Sequence, residues 1–146
     1  MATLVFYEQF LEDLGNKVHD LSGDTINIVL SNTAPTVATD AALADATEIA
    51  TGGGYTSGAG GGAALTDKQF TEASGVGTLT ADATVITATS DSIGPFQYYI
   101  LRNTSADKLI CYWDHGSAVT LADTETFTIT FGADATDGTI FTIGSA

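Results

Sequence analysis

Hydrophobic and polar positions alternate with a period of two over much of the second half of the chain. Between Thr124 and Phe131, the apolar side chains of Phe127, Ile129 and Phe131 share one parity and polar side chains occupy the other. This alternation is typical of a β-strand with one face in water. Strands are predicted at residues 25–30, 76–80, 83–89, 96–103, 109–114, 124–131 and 139–143.

Turn residues separate the predicted strands at the spacing expected of a β-sandwich or barrel. Many threonines fit this architecture, because a branched β-carbon suits a pleated surface while the hydroxyl tolerates water. Breaks are predicted at residues 80–82, 90–95, 103–108, 114–117 and 132–138.

Two central runs, residues 96–101 and 109–113, are apolar on both parities. Strands that are covered on each face have this composition. The sequence leaves open whether the second cover is the amino-terminal segment or another protein.

Residues 1–21 form a segment with helical periodicity. An amphipathic helix is predicted from about Leu4 to Leu14, with Thr3 as its cap and Gly15 with Asn16 as its stop. This helix either covers the sheet or forms an arm that docks on a neighbouring subunit. A shorter helical turn is predicted to start at Asp45. The apolar positions of the segment are Tyr7, Phe10, Leu11, Leu14, Val18 and Leu21.

The fold class predicted from these patterns is mainly β, an antiparallel β-sandwich or barrel-like domain with one N-terminal amphipathic helix. The 146 residues suit a single domain, and 44% hydrophobic with 15% charged residues excludes a disordered polymer. No stretch approaches the roughly 20 apolar residues of a membrane span, and no signal peptide is expected. The single cysteine, Cys111, excludes an internal disulfide framework.

Eighteen acidic and four basic residues give a formal charge of −14. Such a surface repels phosphate backbones and anionic membranes, so direct binding to nucleic acid or membrane is not expected. It also makes copies repel each other, so a dense array of them must bury compensating apolar area.

A Gly-rich loop, residues 52–62, contains seven of the sixteen glycines. Ordering such a backbone is costly unless neighbours hold it. The glycines are followed by Ala63, Ala64 and Leu65 instead of the Lys and Ser or Thr of a phosphate-binding loop. The loop is therefore interpreted as flexible or as an assembly contact.

The inventory of catalytic groups is small. The nucleophile and base candidates are Cys111, His19 and His115, and four residues of extended strand would hold Cys111 about 13 Å from His115. The acidic residues that a glycosidase pair would need lie in turns or at strand ends, where Asp commonly binds local backbone. They are Asp82, Asp91, Asp114, Asp123, Glu125, Asp134 and Asp137.

The loop that contains Asp134 and Asp137 lacks the alternating acids and terminal Glu of a full calcium loop, so a turn is favoured over a weak calcium site. No cofactor is expected. The aromatic residues Tyr98, Tyr99, Tyr112 and Trp113 lie on adjacent predicted strands. They either pack in the core or form an exposed platform for carbohydrate or protein.

Three phrases of the sequence resemble small virion proteins of tailed bacteriophages. These are FYEQF at the start, LADATEIA before Gly54-Tyr55, and LADTETFTITF followed by GTIF near the end. The group includes capsid decoration or cement proteins, which sit on the outer head surface, often as trimers, and tail components with similar β-domains.

The resemblance implies a non-enzymatic decoration protein made in the bacterial host cytoplasm and located on the outer capsid surface of the virion. Its implied partners are the major capsid protein and further copies of itself, with a trimer favoured. The alternative is a tail or fibre component that binds a host receptor or glycan; a polysaccharide depolymerase is disfavoured by the missing acid–base pair. The candidate contact residues are Phe6, Tyr7, Phe10, Gly54, Tyr55, Tyr98 and Trp113.

Overall fold

The computed structural model of the chain describes residues 3–132 and 138–144. Within these residues, ten strands, one α-helix and one 3-10 helix follow one another. They are β1 (Leu4–Phe6), α1 (Glu8–Gly15), β2 (Ile26–Ser31), a 3-10 helix (Leu43–Asp45), β3 (Ala63–Ala64), β4 (Gln69–Ala73), β5 (Val76–Ala81), β6 (Thr84–Thr87), β7 (Ile93–Asn103), β8 (Lys108–Leu121), β9 (Thr126–Ile129) and β10 (Gly138–Gly144).

The strands form three antiparallel sheets, in the orders β1-β8-β7-β2-β3, β10-β5-β4 and β6-β9. The predicted fold class is confirmed, since the protein is mainly β, sandwich-like and carries one N-terminal helix. The centre of the large sheet is the β7–β8 hairpin, in which Tyr99 lies opposite Trp113 and Ile100 opposite Tyr112.

The main core lies between the large sheet and the two smaller ones. Side chains from β2, β7 and β8 meet side chains from β5, β6, β9 and β10. The fully buried members include Ile28, Leu30, Leu79, Phe96, Leu101, Ile110 and Cys111.

A second apolar cluster covers the other face of the large sheet. Its buried members are Tyr7, Val29, Ile100 and Leu109, and the 3-10 helix packs on them through Leu43. The prediction that the central strands are covered on both faces is confirmed. The cover on this face comes from the same chain, through Tyr7, which precedes α1, and the segment around Leu43.

The amino-terminal segment differs from the prediction. Residues Leu4–Phe6 are a strand that pairs with β8, and the helix spans Glu8–Gly15. Thr3 is not its cap, since the N-cap is Tyr7, which makes no side-chain capping bond. The edge of β8 offers backbone hydrogen-bond partners to Leu4–Phe6, and a helix over these residues would leave those partners unused. The predicted stop at Gly15 and Asn16 is confirmed.

The turn predicted at residues 114–117 was wrong, because β8 continues to Leu121. The local turn residues instead form a bulge. Between the pairs Tyr98↔Asp114 and Phe96↔Val119, β7 advances two residues and β8 advances five, so β8 loops outward there.

Candidate functional site

The Gly-rich loop is held by its own domain at several points. Gly62 donates its N–H to the carbonyl of Thr56 over 2.8 Å, and Asn27 donates from Nδ2 to the carbonyl of Gly61 over 2.7 Å. Arg102, which is 2% exposed, donates from Nη1 to the carbonyl of Ala59 over 2.8 Å. The loop is thus ordered by neighbours in its own domain, which argues against the interpretation of a flexible loop.

Tyr55 is the buried anchor at the centre of this loop. Its hydroxyl donates to Glu48 Oε1 over 2.6 Å and accepts the backbone N–H of Leu30 over 3.0 Å. The second carboxylate oxygen of Glu48 accepts the N–H of Gly58 over 2.8 Å. Burial, and next the bond to Glu48, raise the pKa of Tyr55. One carboxylate thereby ties the aromatic anchor to the loop backbone.

The outer side of the loop presents backbone to solvent. Gly54, Ala59 and Gly60 are exposed, whereas Tyr55 is 4% exposed. Of the two contact candidates in this loop, Gly54 is therefore accessible and Tyr55 is internal. Gly54, Ala59 and Gly60 carry small side chains or none, so the backbone is accessible at these residues.

The three aromatic candidates of the amino-terminal segment pack into the protein. Tyr7 and Phe10 are 0% exposed. Phe6 is half-buried and stacks on Phe10, with ring centroids 5.3 Å apart. In this segment the exposed large apolar side chain is Leu11, at 61% exposure on the outer side of α1.

Trp113 and Tyr98 occupy opposite faces of the β7–β8 hairpin. Trp113 is 2% exposed and stacks on Tyr99, with ring centroids 5.3 Å apart. Together with residues 128–132, these two rings line an open cavity of about 260 Å³. Tyr98 is half-buried and lies edge-on to Tyr112, with 6.1 Å between centroids. Core packing therefore accounts for Trp113 and Tyr99.

The nucleophile and base candidates are separated by burial. Cys111 is 0% exposed, and desolvation raises the pKa of its thiol well above the usual value. His115 lies on the exposed bulge of β8, where its ring meets Phe127 at 5.3 Å. The two side chains lie in different environments and do not form a dyad.

Four of the acidic candidates bind local or neighbouring backbone, as the turn interpretation predicts. Each accepts an N–H over 2.7 Å: Asp91 from Ser92, Asp114 from Gly116, Asp123 from Ser90 and Glu125 from Ala122. The calcium candidates Asp134 and Asp137 lie outside the described residues. Within residues 3–132 and 138–144, no three His, Cys, Asp or Glu side chains are grouped as metal ligands.

Sequence reasoning missed a buried polar cluster behind α1. His19, 7% exposed, lies 3.1 Å from Asn103 through Nδ1, and Asn103 Nδ2 donates to Asp24 over 2.6 Å. Asp13 is 6% exposed, and Lys108 Nζ lies 4.0 Å from its Oδ2. These residues are far apart along the chain, so no local pattern identifies them.

The comparisons with known proteins add no relatives. No family model, no curated protein and no solved structure matches the chain. Among the described residues, no helix is long and apolar enough to cross a membrane.

Proposed function

We propose that the protein is a bacteriophage capsid decoration or cement protein. It binds the outer head surface, bridges neighbouring major capsid subunits and stabilises the shell, with a trimer as the favoured oligomer. Binding to the expanded shell and not to its precursor stabilises the mature form by mass action.

The observation that carries this proposal is the order that side chains of the same domain impose on the Gly-rich loop. Glu48, Arg102 and Asn27 hold the loop backbone, while Ala59 and Gly60 are exposed. A loop that is already ordered loses little conformational freedom on binding, so more of its contact free energy appears as affinity. This suits an adhesive surface better than a catalytic one.

The amino-terminal contact is assigned to the outer side of α1. Since Phe6, Tyr7 and Phe10 pack inward, Leu11 is the apolar group that a capsid surface would cover. Glu8 and Glu12 are exposed on the same helix, so the complementary surface on the capsid carries basic groups around an apolar site.

The acidic surface also supports an adhesive role. The four carboxylates that bind turn backbone are committed to holding loops in place. The charge of −14 makes copies repel each other, so contacts on the capsid must compensate this repulsion.

The test is occupancy on expanded heads of the phage that encodes the chain. Gly60 has open space around its Cα and no positive φ, so Gly60→Trp adds bulk to the loop surface without disturbing the fold. We expect its apparent affinity for heads to fall at least about tenfold, which corresponds to about 1.4 kcal/mol. Thr126→Trp, on exposed β9, is the matched control and retains binding.

Leu11→Ser tests the outer side of α1 independently of the Gly-rich loop. We expect it to lower the apparent affinity for heads by a similar factor. Unchanged occupancy for both Gly60→Trp and Leu11→Ser, or no binding of the unaltered protein to expanded heads, would overturn the assignment. Electron microscopy of decorated heads gives the copy number and tests the trimer.

A tail or fibre component that binds a host glycan is the second candidate. It is favoured by the half-exposed Tyr98–Tyr112 pair, which has Gln97 and Asp114 hydrogen-bonded beside it over 2.9 Å. Aromatic faces with polar groups at the rim suit sugars. Glycan-array binding that is lost in Tyr98→Ala but kept in Gly60→Trp would favour this function over decoration.

A further inference from the structure

The strand β4 (Gln69–Ala73) lies at one edge of its sheet. Among the described residues it pairs with β5 alone, in an unshifted register from Gln69↔Thr80 to Ala73↔Val76. Gln69 and residues 71–73 are exposed. The far side of β4 is therefore a sheet edge of five residues.

The hairpin turn fixes which backbone groups point outward at this edge. Ser74 and Gly75, the two turn residues, have φ of 54° and 82°, as a type I′ turn requires. The flanking pair Ala73↔Val76 is then hydrogen-bonded, and bonded and non-bonded pairs alternate from there. Phe70 and Glu72 consequently direct their N–H and C=O groups away from β5.

Three other edges of the fold carry protections that β4 lacks. The edge strand β3 has two residues and β1 has three, and β8 bulges outward beyond Asp114. Short strands and bulges are common protections against edge-to-edge pairing, as are Pro and Lys on the edge. β4 has neither Pro nor Lys and no bulge along its five residues.

We propose that this edge pairs antiparallel with β4 of a second copy, around a two-fold axis through Thr71. Phe70 of each copy then lies opposite Glu72 of the other and exchanges two backbone hydrogen bonds with it. Thr71 lies opposite Thr71, and Gln69 opposite Ala73. The register joins two three-stranded sheets into one of six strands.

The charge and polarity of β4 favour a second copy of the chain as the partner that pairs with this edge. The one acidic residue of β4, Glu72, faces Phe70 across the axis and not another acid, and its Oε1 already accepts the N–H of Gly75 over 2.7 Å. The outer face next to the axis is a row of threonines, because Thr142 pairs with Thr78 and Thr78 with Thr71. Thr–Thr pairs are favourable across strands.

The contact is small. Pairing of five residues on each side buries much less than the roughly 1,200 Å² of a stable interface. It therefore forms where copies are held close together, by high concentration or by a shared support. The inference is independent of the proposed function, since it concerns copy-to-copy contact whatever the support is.

Cysteine pairs test both the contact and its register. In the proposed pairing Thr71 faces its own copy as a non-hydrogen-bonded pair, with a Cα separation of about 4.5 Å, which a disulfide can span. Two Gln69 residues would lie about 13 Å apart, beyond disulfide reach. The native Cys111 is buried and does not compete.

Concentrated protein is oxidised in a glutathione buffer and run on a non-reducing gel. Thr71→Cys is expected to give at least about tenfold more covalent dimer than Gln69→Cys or Ala73→Cys alone. A mixture of Gln69→Cys with Ala73→Cys should give much more covalent dimer than either variant alone, because Gln69 lies opposite Ala73 in this register.

Equal cross-linking by all single variants, or none by Thr71→Cys, would overturn the proposal. As a second readout, Thr71→Lys should reduce concentration-dependent dimer in sedimentation, while Thr71→Val should retain it. Thr71 is exposed, so loss of folding, which circular dichroism would report, is not expected in either variant. Cross-linking and sedimentation measure contact between copies and not binding to heads. Either can therefore give a negative result while binding to heads is retained.

Discussion

His19 accepts a hydrogen bond from Asn103 at Nδ1 over 3.1 Å, and this pair ties the segment after α1 to the end of β7. The direction follows from the amide of Asn103. Its Oδ1 accepts the N–H of Ala106 over 3.0 Å, and its Nδ2 donates to Asp24 over 2.6 Å. An amide nitrogen can only donate, so His19 is neutral in this bond and carries its proton on Nε2.

Stability should therefore fall in mildly acidic solution. Burial lowers the pKa of His19, against the opposing effects of Asp13 and Asp24, and Lys108 lowers it further. Because the folded pKa lies below that of the unfolded chain, near 6.5, the unfolded state binds more protons as pH falls. The contribution is complete above about pH 6.5 and is lost as the pH falls from that value through the folded pKa.

Urea unfolding at neutral pH and at about pH 5.5 measures this effect. The decrease in unfolding free energy should disappear in His19→Gln and remain in His115→Gln, which removes the exposed histidine. An unaltered pH dependence in His19→Gln would contradict the assignment.

The Tyr55 hydroxyl predicts a stability difference between two conservative substitutions. Tyr55→Phe leaves the buried N–H of Leu30 without its acceptor and should lower the unfolding free energy by about 1–3 kcal/mol. Tyr98→Phe removes a half-exposed hydroxyl that accepts one 3.4 Å bond from Gln97 and should change it by under about 0.5 kcal/mol. Equal effects in denaturant titrations would refute the anchoring role of Tyr55.

Gly62 and Gly60 should respond in opposite directions to alanine. Gly62 has φ of +83°, and an added Cβ would lie 2.4 Å from the carbonyl oxygen of Ile28, so Gly62→Ala should destabilise by about 2 kcal/mol or more. Gly60→Ala meets open space and should be neutral or stabilise by up to about 1 kcal/mol. Thermal melts of the two variants compare them directly, and a more stable Gly62→Ala would show that the loop relaxes.

Cys111 should resist thiol reagents in the native protein. Its thiol is fully buried and burial raises its pKa, while the thiolate is the reactive form. Modification by an aromatic disulfide reagent at pH 8 should therefore follow opening of the fold and accelerate in urea. Rapid stoichiometric reaction without denaturant would place the thiol at an accessible surface.

Strands that carry their own burial pattern were predictable. The strands around Ile100 and Cys111 are covered on both faces. They could be predicted because both alternating sets of positions along them are apolar. β4 was missed because its residues are mostly exposed and alternate weakly. β1 was assigned to a helix because Leu4 and Phe6 gain their partner from β8, which helical periodicity cannot reveal.

The site was less accessible to sequence reasoning than the fold. The Gly-rich loop was identified, but its order depends on Glu48, Arg102 and Asn27, which are brought together by the sheet. Aromatic side chains bury a large apolar area both in protein cores and in interfaces. The residue type alone therefore could not assign Phe10 and Trp113 to the core or to a contact surface.

The pairing of Leu4 with Trp113 also bears on how the chain folds during synthesis. The two residues are separated by 109 positions (113 minus 4), so the first strand has no partner until most of the chain has left the ribosome. Contacts between such distant segments slow folding. The nascent amino terminus therefore waits with its apolar side chains uncovered, and productive folding is expected to complete after translation has passed the second strand of the central hairpin.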